Sequence, residues 1–272
     1  MSEPNRPRFK EGRQEAGDTK EISSDMEKKL SPEEIREKLR DPNFLPTQEQ
    51  ITEAFDGKKI LPNFEEWDAF ILNKENRVYE IFTKEYMNAL GDYLSKRIEE
   101  LGHSENNPVT ILEIGAGNGR LSHLLRRALD EKAPKRAKIV ATDLFADKIK
   151  TNFPVENLGY DEALKKYQPD IVICSWMPFD KDFSQDIRST DSVKEYILIG
   201  EDDHGCCGKK WETWGLPEYD DEDDKTDKKI PPYAKDGFYR KNHREMNCLQ
   251  VCRSDTPGQY FHSRTTSFKR KD

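Results

Sequence analysis

The segment TILEIGAGNGRLSHLL places three glycines within five residues, between an apolar run and a helical pattern. Gly115 permits a tight turn out of a strand, Gly117 lets a ligand approach bare backbone, and Gly119 allows close packing. Glu113 lies two residues before this loop, where a carboxylate would attract a cationic ligand. Asp143 ends the next apolar run, where an acid is placed to accept hydrogen bonds from a ribose diol. These residue types predict a site for a nucleotide-like ligand that carries positive charge.

The glycine spacing disfavours a dinucleotide. The dinucleotide fingerprint, G-x-G-x-x-G, requires a glycine where this chain has Arg120. A pyrophosphate also has no need of the acid Glu113. A nucleotide-dependent oxidoreductase is therefore the less favoured alternative, which NADH binding would test.

Two further loops follow apolar runs and are candidates for the chemistry, because ligands of open α/β sheets bind beyond the carboxyl ends of the strands. The first, SWMPF, supplies Ser175 and Trp176; the alternative for Trp176 is packing under the loop. The second, EDDHGCCG, supplies Glu201 and His204, and neighbouring acids would raise the basicity of that histidine. The alternative for His204 is a solvated loop residue. We predict these four residues as catalytic candidates.

No metal site is predicted. The five cysteines include no C-x-x-C pair, and their odd number favours a reducing compartment. If NCLQVCR is a strand, Cys248 and Cys252 lie roughly 13 Å apart. Two thiolates that share a zinc ion cannot be more than about 4.6 Å apart.

The elements that must position these residues alternate between apolar runs and helical patterns. Strands that are apolar on both faces and separated by helices indicate a parallel sheet covered on both sides. We expect a disordered tail at 1–30, a helical extension at 31–74 and a catalytic domain at 75–272, with a long insertion loop at 201–243. Within that domain we expect one long helix between 75 and 101, with Gly91 as the candidate position for a break, and a C-terminal hairpin formed by NCLQVCR and QYFHSRTTSF.

The segments LEIGAGNGRL, IVATD, PDIVICSWMPF and EYILIGE resemble the class I family of S-adenosylmethionine-dependent methyltransferases. The resemblance implies an α/β fold with a doubly wound, mostly parallel seven-stranded sheet that ends in an antiparallel hairpin. It implies S-adenosylmethionine as cofactor, and an acid after the third strand that contacts the adenine, for which Glu156 and Asp161 are both candidates. The implied cofactor-binding residues are Glu113, Gly115, Ala116, Gly117, Asn118, Gly119, Asp143, Leu144, Glu156, Asp161 and Ser175.

The acceptor of the methyl group is left open by the sequence. SWMPF is similar to the Asp/Asn/Ser-Pro-Pro-Tyr/Phe loop of amino-group methyltransferases, but Trp176 and Met177 separate Ser175 from Pro178. N-methylation of an adenine or an amide is therefore one alternative. The long insertion favours a sizeable acceptor such as a protein, with a small molecule or RNA as alternatives. A non-catalytic, methyltransferase-like scaffold subunit is the alternative of another class.

Composition limits the partners. The net charge is −8, and the run from Glu218 to Asp224 holds six of the acids, so the remainder is nearly neutral and gives no strong footprint for nucleic acid. No stretch approaches the roughly 18 apolar residues of a membrane span, and no targeting segment is recognised. We expect a cytoplasmic protein that does not bind membranes.

Overall fold

The computed structural model describes residues 29–41, 43–55, 78–149, 153–202, 206–217, 230–252, 255–256 and 261–271. Most of the predicted tail, the candidate base His204 and the acidic run 218–224 lie outside these residues. Within them, the helices are α1 (Pro32–Lys38), α2 (Gln48–Phe55), α3 (Lys84–Glu100), α4 (Arg120–Lys132), α5 (Tyr160–Tyr167), α6 (Ser184–Ser189), α7 (Pro232–Lys235) and α8 (Arg244–Asn247). The strands are β1 (Glu80–Phe82), β2 (Val109–Ile114), β3 (Ala137–Asp143), β4 (Glu156–Asn157), β5 (Ile171–Ser175), β6 (Glu195–Glu201), β7 (Phe238–Asn242), β8 (Gln250–Cys252) and β9 (Ser263–Arg270).

The main sheet has seven strands in the spatial order β4-β3-β2-β5-β6-β9-β7. Its first five strands are parallel, and β9 runs antiparallel to both of its neighbours. The sheet therefore confirms the predicted α/β fold, mostly parallel and seven-stranded, with an antiparallel pair near the C-terminus. The order reverses at β2, so the carboxyl ends of β2, β3 and β5 lie side by side.

Both faces of the sheet are covered. Within β2, Ile111 belongs to the core formed with α3 and α4, whereas Leu112 belongs to the core formed with α5 and α6. Alternate residues of a strand point to opposite faces, so an apolar run such as VTILEI buries side chains on both. This arrangement gives the doubly wound packing that the alternating pattern predicts.

The antiparallel pair does not contain the first strand that the sequence predicts. β9 pairs with β7, whereas Gln250–Cys252 from NCLQVCR pairs with β1 in a separate two-stranded sheet. β7 has the sequence FYRKN, and only Phe238 of it is buried, as suits a strand at the edge of a sheet. The sequence of β7 is therefore less apolar than that of β8. For this reason the sequence pattern predicted NCLQVCR, rather than FYRKN, as the first strand of the hairpin.

The long helix predicted between 75 and 101 begins later than expected. Thr83 caps α3 by accepting the amide N–H of Tyr86, and the three residues before this cap form β1 instead. The helix continues without a break through Gly91, where an added Cβ would lie 3.1 Å from Cβ of Ala128. That glycine brings α3 close to α4 rather than ending a helix.

The N-terminal helices pack beside the two-stranded sheet. α1 begins with a capping box, in which Ser31 and Glu34 each accept the other's backbone N–H. A third core, distinct from the two cores on the faces of the main sheet, is formed by α1, α2, β1 and β8, with Ile35 and Phe55 among its fully buried side chains. The N-terminal helices α1 and α2 therefore pack against β1 and β8, the two strands outside the main sheet.

The range 201–243 is not one continuous loop, because α7 and β7 lie inside it. Trp214 is 1 % exposed, and its indole N–H donates to the carbonyl oxygen of Cys207 at 2.6 Å. Trp214 therefore anchors its segment in one of the two cores beside the sheet. The described stretch 206–217 of the insertion packs on the domain in this way.

Candidate cofactor and acceptor site

A cavity of about 580 Å³ opens at the carboxyl ends of β2, β3 and β5. The glycine loop and Asp143 line one end, and residues from β1 and from the loop after β5 line the other. Ligand sites in open α/β sheets lie at this edge, and pockets for small molecules typically measure about 300–1,000 Å³. The cavity thus has the position and size of a ligand site.

The three glycines of the loop all adopt left-handed backbone, with φ of +65° at Gly115, +54° at Gly117 and +77° at Gly119. A Cβ added at either of the first two would meet nothing within 4 Å, so these glycines face open space. A Cβ at Gly119 would lie 2.6 Å from Cγ2 of Val155. The first two glycines therefore leave room for a ligand, and the third permits close packing against the chain before β4.

Glu113 lies at the base of the cavity and is 3 % exposed. Its Oε2 accepts the backbone N–H of Ser122 at 3.0 Å and also the hydroxyl of that serine. Burial raises the pKa of Glu113 to about 7, although the bonds from Ser122 act in the opposite direction. This carboxylate ties β2 to the first turns of α4.

Asp143, the last residue of β3, forms a hydrogen bond with the glycine loop that follows β2. Its Oδ2 accepts the backbone N–H of Gly117 at 2.9 Å, and its Oδ1 accepts that of Phe145 at 2.8 Å. An ionised carboxylate has about four acceptor positions, so both oxygens retain capacity for donors in the cavity, such as hydroxyls. The structure places Asp143 where the sequence argument requires it.

Arg120 is a buried cation that lines the cavity and is only 5 % exposed. Its guanidinium donates to the carbonyl oxygens of Leu39 at 3.1 Å, Asp41 at 3.3 Å and Phe44, all at or after the end of α1. Among the described residues, no carboxylate forms an ion pair with it. Burial lowers the pKa of Arg120 to about 10, against the opposing charge of Asp41. In the sequence, Arg120 is notable only because it stands where the dinucleotide fingerprint has a glycine.

The residues after β3 present a ring to the cavity rather than an acid. Phe145 lines the cavity and is 51 % exposed, whereas the predicted Leu144 does not line it. The predicted acids Glu156 and Asp161 do not line it either, which corrects both candidates. Glu156 accepts hydrogen bonds from Lys166 and Tyr167, and Asp161 forms an ion pair with Lys165 along α5.

The opposite end of the cavity is rich in aromatic side chains. Ser175 and Trp176 line it as predicted, together with Phe179, which is 73 % exposed. Trp176 has left-handed backbone with φ of +59°, and its ring centroid lies 5.8 Å from that of Tyr79. Tyr79 lies in the segment that the sequence predicts as helix, and the sequence did not single it out as a site residue.

Glu201 does not line the cavity, which corrects its assignment as a catalytic candidate. It is fully buried at the end of β6, where its Oε1 accepts a bond from the thiol of Cys252 at 3.0 Å. Its other oxygen, Oε2, has no hydrogen-bond partner among the described residues.

Glu80 of β1 lines the cavity and is 3 % exposed. Sequence reasoning missed Glu80 because it lay in a segment predicted as helix.

In the part of the chain that the structure describes, no group of three or more His, Cys, Asp or Glu side chains is arranged to hold a metal ion. No helix there is both long enough and apolar enough to span a bilayer.

No protein-family model and no curated protein matches the chain, whereas several solved structures are similar to it. The chain is similar to the DszA carbon methyltransferase, with 14% identity over 75% of this chain and a TM-score of 0.39. It is similar to the CurJ carbon methyltransferase, with 13% identity over 68% of this chain and a TM-score of 0.42. It is also similar to the plantazolicin methyltransferase BpumL, solved in complex with SAH, with 9% identity over 88% of this chain and a TM-score of 0.35. It spans 60% and 54% of the first two chains and 99% of the third.

The sheet itself, mostly parallel and seven-stranded with β9 antiparallel to its neighbours, has the Rossmann-like fold that the sequence resemblance implies. At these low identities and TM-scores the similar structures carry no argument about activity, which must be argued from the cavity.

Proposed function

We propose that this protein is an S-adenosylmethionine-dependent methyltransferase. The observation that carries the proposal is the convergence of three features on one cavity. These are a glycine loop with open space above it, the half-buried carboxylate Asp143, and the buried cation Arg120.

The residues at this end of the cavity match the parts of the cofactor one by one. The cofactor carries a ribose diol, an adenine and an amino acid with one carboxylate. Asp143 has acceptor capacity for the diol, and the exposed face of Phe145 suits stacking with a base. Arg120 is positioned for the carboxylate, since two of its five N–H donors remain after the three bonds to backbone.

Bound there, the cofactor would supply a methyl group activated by a sulfonium. The protein's own contribution is then mainly to orient an acceptor against it and to exclude water. Ser175 and Trp176 line the cavity at the end of β5, the strand that pairs with β2 before the glycine loop, so they fit contacts near the reacting groups.

For the acceptor we keep a protein as the favoured class, as the sequence suggested, with a small molecule or RNA as alternatives. The scaffold alternative predicts a shallow or blocked pocket, and an open cavity of about 580 Å³ favours the enzyme over it.

The test is calorimetric titration of S-adenosylmethionine and S-adenosylhomocysteine into the wild type, Asp143→Ala and Asp147→Ala. Asp147 is exposed and lies just after Asp143, outside the cavity lining, so it controls for loss of an acid from the same segment. We expect micromolar binding to the wild type and to Asp147→Ala, and at least tenfold weaker binding to Asp143→Ala. Thermal unfolding of all three proteins distinguishes lost binding from a lost fold. Failure of the folded wild type to bind either compound would refute the proposal.

A further inference from the structure

The end of the cavity away from the glycine loop combines aromatic faces with one buried carboxylate. Tyr79, Trp176 and Phe179 contribute the rings, and Glu80 contributes the acid. Aromatic faces attract cations through their quadrupole, and a carboxylate attracts them through its charge. The lining of this end is therefore suited to a cationic group.

Glu80 has no cation of its own within the described part of the chain. Its hydrogen bonds come from one hydroxyl, that of Ser263, which lies 3.0 Å and 3.2 Å from the two carboxylate oxygens. A hydroxyl carries a single proton, so it satisfies one oxygen at a time. A buried carboxylate without a charged partner is costly, and a cation that entered the cavity would lower this cost.

Two further buried carboxyl groups, those of Asp255 and Glu201, lie near enough to Glu80 to act on it electrostatically, so a positive charge beside Glu80 would be stabilised further. Asp255 accepts backbone N–H groups from Cys252 at 2.8 Å and from His262. Glu201 keeps one oxygen without a hydrogen-bond partner. Burial, followed by the charges of Asp255 and Glu201, raises the pKa of Glu80 well above its ordinary value. The same burial and neighbouring acids make the ionised form of Glu80 costly, so a cation beside it would stabilise the carboxylate, and that carboxylate would bind the cation's proton tightly.

From this geometry we infer that the methyl acceptor is a protonated alkylamine, of the kind that a lysine side chain carries. This inference rests on the proposed function and names its substrate class. An amine suits the site better than a guanidinium because an amine loses its proton when buried, whereas a guanidinium stays charged. A neutral hydroxyl or carbon acceptor would leave Glu80 without a counter-charge.

The reaction balances with the groups at hand. The ammonium passes one proton to the Glu80 carboxylate, and the freed nitrogen lone pair forms the new N–C bond. The methyl–sulfur bond breaks as this bond forms, and its electron pair stays on sulfur. The substituted nitrogen remains protonated, and Glu80 later releases its proton to water through the open cavity.

The test uses two degenerate peptide libraries, one with lysine at a fixed central position and one with acetyl-lysine there, and no other lysine or free amine in either. Wild type, Glu80→Gln and Glu99→Gln are incubated with S-adenosylmethionine that carries a tritiated methyl group. Glu99 is an exposed acid on α3, away from the cavity, and serves as the matched control. Glutamine keeps the shape of Glu80 and can still accept the Ser263 hydroxyl. Affinity for S-adenosylhomocysteine is measured by calorimetry for each protein.

We expect label in the lysine library only, at least a 100-fold lower rate for Glu80→Gln, and an affinity for S-adenosylhomocysteine within twofold of the wild type for both variants. As a readout without turnover, we expect Nα-acetyl-lysine methylamide to shift NMR signals of the S-adenosylhomocysteine complex. The neutral norleucine analogue should bind at least tenfold more weakly.

Three results would overturn the inference while the cofactor still binds: equal labelling of both libraries, labelling of neither, or an unchanged rate in Glu80→Gln. Absence of cofactor binding by the wild type would instead refute the proposed function, and this inference with it.

Discussion

Replacing Arg120 by glutamine should weaken binding of S-adenosylhomocysteine and leave binding of 5′-methylthioadenosine unchanged. The two compounds share the adenine, the ribose and the sulfur, but only the first has an amino-acid end with a carboxylate. Arg120 is the cavity-lining cation that has no carboxylate partner among the described residues. The comparison therefore isolates the contribution of its charge.

The expected magnitude follows from the burial of the guanidinium. Arg120 is 5 % exposed, and its pKa of about 10 leaves it protonated at pH 7. A hydrogen bond to a charged group contributes about 1.5–3 kcal/mol. At about 1.4 kcal/mol per decade, the loss corresponds to a roughly 10- to 150-fold higher Kd for S-adenosylhomocysteine. Calorimetry at fixed salt measures both affinities.

Arg127→Gln is the control, because Arg127 lies on the same helix but is exposed and outside this cavity. Its Kd values should match the wild type within twofold. Arg120 also holds the carbonyl groups of Leu39 and Asp41, so thermal unfolding is recorded for each variant. An equal loss of affinity for both compounds in folded Arg120→Gln, or no loss for either, would show that this residue does not bind the carboxylate.

The remaining predictions concern the glycine loop and the acid beneath it. Gly119→Ala should lower the free energy of unfolding by about 1–3 kcal/mol, because this position combines left-handed backbone with a steric clash. Gly117→Ala should mainly weaken cofactor binding, because its Cβ enters the open space of the cavity. Urea unfolding measures the stabilities and calorimetry the affinities; a larger loss of stability in Gly117→Ala, or a larger loss of affinity in Gly119→Ala, would contradict the assignment. Glu113 has a folded-state pKa raised from 4.5 to about 7, so its contribution to stability is fully present below pH 4.5 and is lost as the pH rises through 7. Between those limits the cofactor-free wild type should lose about 3 kcal/mol relative to Glu113→Gln, measured by urea unfolding at several pH values; parallel pH profiles would contradict the raised pKa.

The cavity-lining residues that the sequence singled out are those whose positions depend on local spacing. Glu113, Gly115 and Gly117 lie on one strand and the loop that follows it, and Asp143 ends the next strand in a regular alternation. In a parallel sheet, such an alternation fixes which strand ends meet. The acids predicted to contact an adenine do not line the cavity, and their prediction depended on the third strand, β4, which is only two residues long and gives a weak pattern.

The parts that sequence missed depend on contacts between distant segments. Arg120 bonds to carbonyl groups that lie 76 to 81 positions away in the chain. Glu80 is brought to the cavity by the pairing of β1 with β8, in which it lies opposite Cys252. Apolar periodicity over Tyr79 and Phe82 fits a helix as well as a short buried strand, so the pattern alone favoured the wrong element.

Both missed residues are held by the segments around the N-terminal helices. Arg120 is bound by backbone at the end of α1, and β1, which carries Glu80, shares a core with α1 and α2. The two charges that distinguish the ends of the cavity, one cationic and one anionic, therefore depend on how this extension packs. The sheet and glycine loop account for a nucleotide-like ligand, which many proteins of this fold bind. On the proposed function, discrimination between a carboxylate at one end and an ammonium at the other would arise instead from Arg120 and Glu80, which the segments around the N-terminal helices position.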